Sequence, residues 1–380
     1  MKFIKADELK TGMRLAKPIY NKNGVMLYER NSRLTSQGII SVQNFGLIGV
    51  YILEPAEPVP PMSEDDVEFE RFQSMSIFSV KDILDAISKE KESKELYPFA
   101  NSVIKKYGNL HHKINFVQNL RSGEDATYKH ALNVAILSAL ITKKRKVDFK
   151  EQLDIVVAGI LYDIGSLLIP LRLRKKFSTE LTPDDQDKIN ACHANGYQIL
   201  NKDYNMDPNV RRYAALTAKE LYQIKQEDEA QTNIKLPGVE ILKVAAAYDN
   251  MTAMKYGEEP HSEIMALRYL LDKNNGFDPQ AVQGLVDSVN ILNPGVCVEL
   301  SNGDRGLVIA EGTTNVLEPF ILSFRDNSIL NMSDKQVSKD IQIVDIMKTM
   351  DNRHVVDKNM LSKYSGETVH IGQKLEKKHH

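Results

Sequence analysis

The sequence predicts a mainly α-helical protein with a small β-rich unit at each end. Three observations carry this. Residues 128–144 and 153–164 are apolar almost all round, and helices without a polar face belong in the middle of a bundle. Three helix starts are written as a capping residue followed by proline, at Thr182-Pro183, Asp207-Pro208 and Asp278-Pro279. Before residue 55 and after residue 293 the helical period gives way to short runs of β formers bounded by turn residues.

Taken in order, residues 1–54 read as a β-rich N-terminal domain. Val25, Leu27 and the run Val50-Tyr51-Ile52-Leu53 suit short strands, and Asn23-Gly24 supplies a turn that accepts positive φ. Residues 55–66 (PAEPVPPMSEDD) hold four prolines and then an acidic run, the composition of an extended linker. Residues 67–293 read as the helical domain. At Thr182-Pro183-Asp184-Asp185 a hydroxyl stands at the N-cap, proline at the first helical position and two carboxylates in the first turn, where they oppose the helix dipole. After Asn293-Pro294-Gly295, residues 296–300, 307–309 and 320–324 read as strands, with Asn302-Gly303 as a turn, giving a C-terminal β-rich unit over 294–349. Residues 350–380 are polar, lysine-rich and aperiodic, a composition that predicts a loose tail, and His379-His380 at its end carry no functional weight.

At 380 residues the chain exceeds one average domain. It is 42% hydrophobic and 26% charged with a formal net charge of −2, a balance that gives no electrostatic case for nucleic acid or an anionic membrane as main partner. The opening MKFIKADELK has no apolar h-region, so no secretory signal is expected, and the longest apolar stretch, around residues 131–141, is too short to span a bilayer. Cys192 and Cys297 lie far apart without C-x-x-C spacing, which fits a reducing cytosol and leaves no disulfide scaffold or thiolate zinc site. A cytoplasmic location is expected.

Four segments stand out together: residues 128–135 (YKHALNVA), 158–166 (AGILYDIGS), 193–200 (HANGYQIL) and 244–252 (VAAAYDNMT), the last followed by Gly276-Phe277-Asp278-Pro279. They resemble the HD-GYP family of bacterial cyclic di-GMP phosphodiesterases. The first and third resemble the helices that supply metal histidines there, the second the segment A-G-L-L-H-D-I-G-K, and the fourth the run V-A-D-x-Y-D-A-M-T. Residues 9–34, with Thr11-Gly12-Met13, resemble a β unit often placed before such domains, and residues 293–308, with Leu300-Ser301-Asn302-Gly303, one often placed after them. The resemblance covers most of residues 1–345 and implies an HD-type helical bundle between the two β-rich units.

Members of that family hold two or three divalent metals with His and Asp/Glu side chains, donors that suit iron, manganese or zinc, and such a pair polarises a phosphodiester and generates hydroxide. Carried over residue by residue, ligand types remain at His130, Asp163 and His193. The acidic residue one turn before the first histidine is Ala126, the histidine of the His-Asp pair is Tyr162, the adjacent histidine pair falls on Thr217-Ala218, and the final metal aspartate is Ala246. The lysine that meets the substrate phosphate is Ser166, and residues 219–237 hold neither a histidine nor Gly-Tyr-Pro. A phenol, with a pKa of about 10, ligates poorly at neutral pH. Five lost ligands and a lost phosphate contact imply that hydrolysis has been abandoned, so no catalytic residue is assigned.

Two readings stay open for His130, Asp163 and His193: a residual set clamping a single divalent iron, manganese or zinc, or a buried polar group in which imidazole and carboxylate satisfy each other. Tyr162 reads as filler of the emptied metal cavity, Cys192 as a small packed residue, and Asp249 as a hydrogen-bonding group at a helix end. His111-His112 fall outside every matched position and read as surface. Arg172, Arg174, Lys175 and Lys176 read either as phosphate contacts or as a solvated face. The function expected is a non-catalytic regulatory or binding module of cyclic di-GMP signalling, with cyclic di-GMP or signalling proteins as partners. The alternatives are a phosphodiesterase with an altered, mononuclear site, and a scaffold for homodimerisation.

Overall fold

The computed structural model describes residues 2–20, 25–44, 47, 49–53, 63–118, 121–176, 178–202, 206–224, 235–253, 260–312 and 315–346. The expected Asn23-Gly24 turn, most of the proline-rich linker and the 350–380 tail lie outside the described residues. The chain forms two compact units, one of Phe3–Ile52 with Ser63–Val289 and one built around residues 290–346.

The larger unit begins with five short strands, β1 (Lys2–Lys5), β2 (Arg14–Leu15), β3 (Ile19–Tyr20), β4 (Met26–Tyr28) and β5 (Gly49–Leu53), with helix α1 (Ser36–Asn44) between the last two. They pair as a three-stranded sheet in the order β1-β5-β2 and as a separate β3-β4 hairpin. Their apolar residues make a core of their own, formed by Leu9, Leu15, Ile19, Leu34, Val42, Val50 and Ile52. Helix α1 was not expected. Its start is marked by Thr35, whose hydroxyl accepts the Gly38 amide at 3.0 Å.

Helix α2 (Glu64–Ile87) corrects the linker boundary: Ser63 and Asp66 form a reciprocal capping box, so the acidic run assigned to the linker is the first turn of a helix. Then come α3 (Leu96–Tyr107), α4 (Ala126–Lys144) and α5 (Phe149–Leu161). A 3-10 turn (Ile164–Leu168) leads to α6 (Leu171–Arg174), α7 (Pro183–Asn201) and α8 (Pro208–Leu221), followed by α9 (Pro237–Thr252), α10 (Glu263–Leu271) and α11 (Pro279–Val286). The three cap-proline pairs start α7, α8 and α11 as expected. Of the nineteen residues in α4, fourteen are buried, because α2, α3, α5, α9 and α11 all pack around it.

The smaller unit is an antiparallel sheet of β6 (Cys297–Leu300), β7 (Arg305–Ala310), β8 (Phe320–Ser323), β9 (Ile329–Asn331) and β10 (Ile343–Ile346), with α12 (Lys335–Asp340) before the last strand. The order is β10-β6-β7-β8-β9. Gly303 turns the β6–β7 hairpin at φ +81°, a conformation that disfavours any side chain. Among the described residues, no helix is long and apolar enough to cross a membrane.

Candidate functional site

Helix α4 carries His130 and Asn133 on one face, three residues apart, into an apolar interior where each polar atom needs a partner. The partner is Asp249, in the last full turn of α9 and fully buried. His130 Nδ1 lies 2.5 Å from Asp249 Oδ2, and Asn133 Nδ2 donates to Oδ1 at 2.8 Å. From the loop before α4, Arg121 Nη2 donates to both carboxylate oxygens, at 2.6 and 2.8 Å, and Gln118 Nε2 donates to Oδ1 at 3.0 Å. A second layer holds these donors. Asn133 Nδ2 and Arg121 Nη2 donate to Gln118 Oε1, Gln118 Nε2 also reaches Thr252 Oγ1 at 2.8 Å, and Gln73 of α2 donates to Asn133 Oδ1 at 3.0 Å.

Burial alone would raise the pKa of Asp249, but the charge of Arg121 and the hydrogen bond from His130 overcome that and hold it well below the usual carboxylate range. The other ring nitrogen of His130, Nε2, meets the hydroxyl of Tyr162. Burial pushes that phenol well above its ordinary pKa, so it keeps its proton. The contacts form a chain running Tyr162–His130–Asp249–Arg121. Tyr162 caps the C-terminus of α5, is 1% exposed, and sets its ring edge-on to His130.

Asp163 turns to a different set of partners. The Ser166 hydroxyl donates to its Oδ1 at 2.6 Å, and the Tyr222 hydroxyl donates to the same oxygen. The Tyr222 ring stacks on His193 of α7, with centroids 3.6 Å apart and planes 10° from parallel. Burial, then the charge of Asp163, push the Tyr222 phenol up. Burial lowers the pKa of His193, against a smaller opposing pull from Asp163. His193 Nδ1 and Thr217 Oγ1 are buried without a hydrogen-bond partner among the described residues. The 3-10 turn after Asp163 meets α7 glycine to glycine: a Cβ on Gly196 would sit 2.4 Å from Gly165 Cα, so any side chain there would drive the two segments apart.

Each residual position has its own partners: His130 is held by Asp249 and Tyr162, Asp163 by Ser166 and Tyr222, and His193 by a stacked ring. Among the described residues, no group of three or more His, Cys, Asp or Glu side chains is placed to hold a metal ion. Asp249, read as a hydrogen-bonding group at a helix end, is the hub of the network: four side chains from two segments, the loop before α4 and α4 itself, converge on it.

The basic run is only partly free to meet a ligand. Lys176 pairs with Asp185 at 2.6 Å and Arg174 Nε donates to the Ile169 carbonyl, while Arg172 and Lys175 are exposed. Cys192 donates to the Leu168 carbonyl, and burial pushes its thiol up, away from nucleophile chemistry. His111 and His112 are exposed. Ala126 opens α4, Thr217 and Ala218 are buried in α8, and Ala246 is buried in α9.

Comparison with known proteins finds similarity over the region that holds this site. Residues 116–281 match the HD domain family. A cyclic di-GMP phosphodiesterase of Pseudomonas aeruginosa is 25% identical over 215 residues, which is 54% of this chain and 49% of that protein, so the match spans about half the length of the relative. The solved structure of an HDG"Y"P protein from Bdellovibrio bacteriovorus aligns over 75% of this chain and 98% of its own, at 14% identity and a TM-score of 0.46. The family match and the sequence relative support an HD-superfamily protein, with the HD match at residues 116–281.

Proposed function

We propose that this chain is a non-catalytic regulatory or binding module of cyclic di-GMP signalling in the bacterial cytoplasm. The observation that carries the reading is the engagement of the three residual positions by two phenols. Tyr162 takes His130 Nε2 while Asp249 takes Nδ1, and Tyr222 shares Asp163 with Ser166 while its ring covers His193. HD domains typically bind divalent metals, and the residues here do not fit a two-metal set. Ala126, Ala218 and Ala246 offer no donor atom, and His130 would have to release Tyr162 before it could ligate. One observation favours a mononuclear, altered phosphodiesterase instead: His193 Nδ1 is a buried nitrogen without a partner among the described residues.

The choice of nucleotide rests on the relative, which is a cyclic di-GMP phosphodiesterase. Elemental analysis of the purified chain should find less than one transition metal per molecule, since affinity follows the number of deprotonated donors. Two stoichiometric ions would overturn the reading. A cyclic di-GMP titration should show binding that Arg172→Ala weakens by about tenfold, the loss of one charge-assisted phosphate contact. Absence of binding would move the function to protein docking.

A further inference from the structure

Arg121 and Gln118 reach Asp249 from a loop rather than a helix, and besides the Ser122–Asp125 hydrogen bonds that tie the loop's end to the start of α4, contacts from outside the bundle help to fix their position. The N-terminal β-rich segment does so at two points. Lys17 Nζ donates to the Gln118 carbonyl oxygen at 3.3 Å, and Leu47 pairs with Ser122 in an isolated antiparallel bridge. These contacts fall at the two ends of the stretch 118–122, which carries both side chains. They are also anchored in the segment's own core. The Lys17 ammonium lies 4.8 Å from the centroid of the Tyr51 ring on β5, between buried Val50 and Ile52, and Leu47 packs against the same core. A shift of the segment is thus delivered to the Arg121 loop by a packed body and not by a flexible tether.

The receiving end is poised to register such a shift. Arg121 is 2% exposed and Asp249 is fully buried, so separating them strands two charges away from water. Asp249 would be left with Asn133 and His130, and the contact of His130 with Tyr162 would change with it. We propose that the N-terminal β-rich segment is a regulatory strap: by holding Gln118 and Ser122 it sets whether Arg121 and Gln118 reach Asp249, and through Asp249 it sets the His130–Tyr162 hydrogen bond. This goes beyond the reading of the site as non-catalytic and does not depend on it, since it concerns how the polar core is wired.

The test uses the full chain with 3-fluorotyrosine at position 162, read by fluorine NMR, together with amide hydrogen exchange. Lys17→Ala should move the Tyr162 resonance and raise exchange at 121–122 and 249–252 by about tenfold, with the amides of α5 unchanged. Lys202→Ala, which removes a surface pair with Glu90, should leave both unchanged. Opposed residues of an antiparallel bridge lie about 4.5–5.5 Å apart at Cα, within disulfide reach. A Leu47→Cys/Ser122→Cys cross-link in the Lys17→Ala background should therefore restore the wild-type resonance when oxidised and lose it on reduction. If Lys17→Ala does not fold, the cross-linked chain, oxidised against reduced, gives the same readout. An unmoved Tyr162 resonance, exchange that rises equally in α5, or a cross-link that restores nothing would overturn the proposal, whether or not the chain proves to be catalytic.

Discussion

Tyr162→Ala is expected to destabilise the larger unit by about 3–5 kcal/mol, the range for removing a large buried aromatic. The side chain is 1% exposed, and its hydroxyl is the partner of His130 Nε2. Truncation therefore creates a cavity and strands a buried nitrogen, and both effects act in the same direction. Tyr162→Phe separates them: it keeps the ring and should cost only about 1–2 kcal/mol, the price of the unmet hydrogen bond. Denaturant midpoints at constant slope give the comparison. An unchanged midpoint for Tyr162→Ala would show that the ring does not fill this space.

Asp249→Ala should be equally severe, at about 3–5 kcal/mol, because it leaves Arg121 buried without its counter-charge and His130 Nδ1 without its hydrogen-bond partner. Replacing the pair together, Asp249→Leu with Arg121→Met, should cost less than Asp249→Ala alone, since no charge is then stranded. A cost below about 1 kcal/mol for Asp249→Ala would remove this carboxylate from the centre of the network. The pH dependence has a definite sign. Asp249 is depressed in the folded state, so its contribution is fully present above the unfolded carboxylate value of about 3.9 and is lost as pH falls from there toward its folded value. Asp249→Asn should flatten that part of the acid-unfolding curve.

Much of the bundle is legible in the sequence because its signals are local. Thr182, Asp207 and Asp278 each stand one residue before a proline, and each caps the helix it announces. Helices α4 and α5 declare themselves by the absence of a wet face. Helix α1 escapes because Gly38 sits in its first turn and lowers the helical signal, and β9, at three residues, is too short to show a period. The site is legible in a different way. The resemblance picks out His130, Tyr162, Asp163 and His193, but not whom they face. Arg121 and Asp249 are 128 positions apart, and no spacing rule couples a loop arginine to a helix that distant. Asn133 could have been found: an amide three residues after His130 on an apolar helix demands a buried partner. Tyr222 carried no such mark, since a tyrosine after α8 reads equally well as surface, and only the fold brings it to Asp163 and His193.

Turnover of cyclic di-GMP by the purified full chain, with manganese or ferrous iron added, tests the central claim most directly. Metal hydrolysis needs its ions, hydroxide and phosphate contact together, so restoring one part restores little. The expected result is no linear product above background, and none from Tyr162→His, which still leaves Ala126, Thr217, Ala218 and Ala246 without metal donors and Ser166 without charge. A linear product formed by the wild-type chain and lost in His130→Ala or Asp163→Ala would contradict the account and return this protein to the phosphodiesterases.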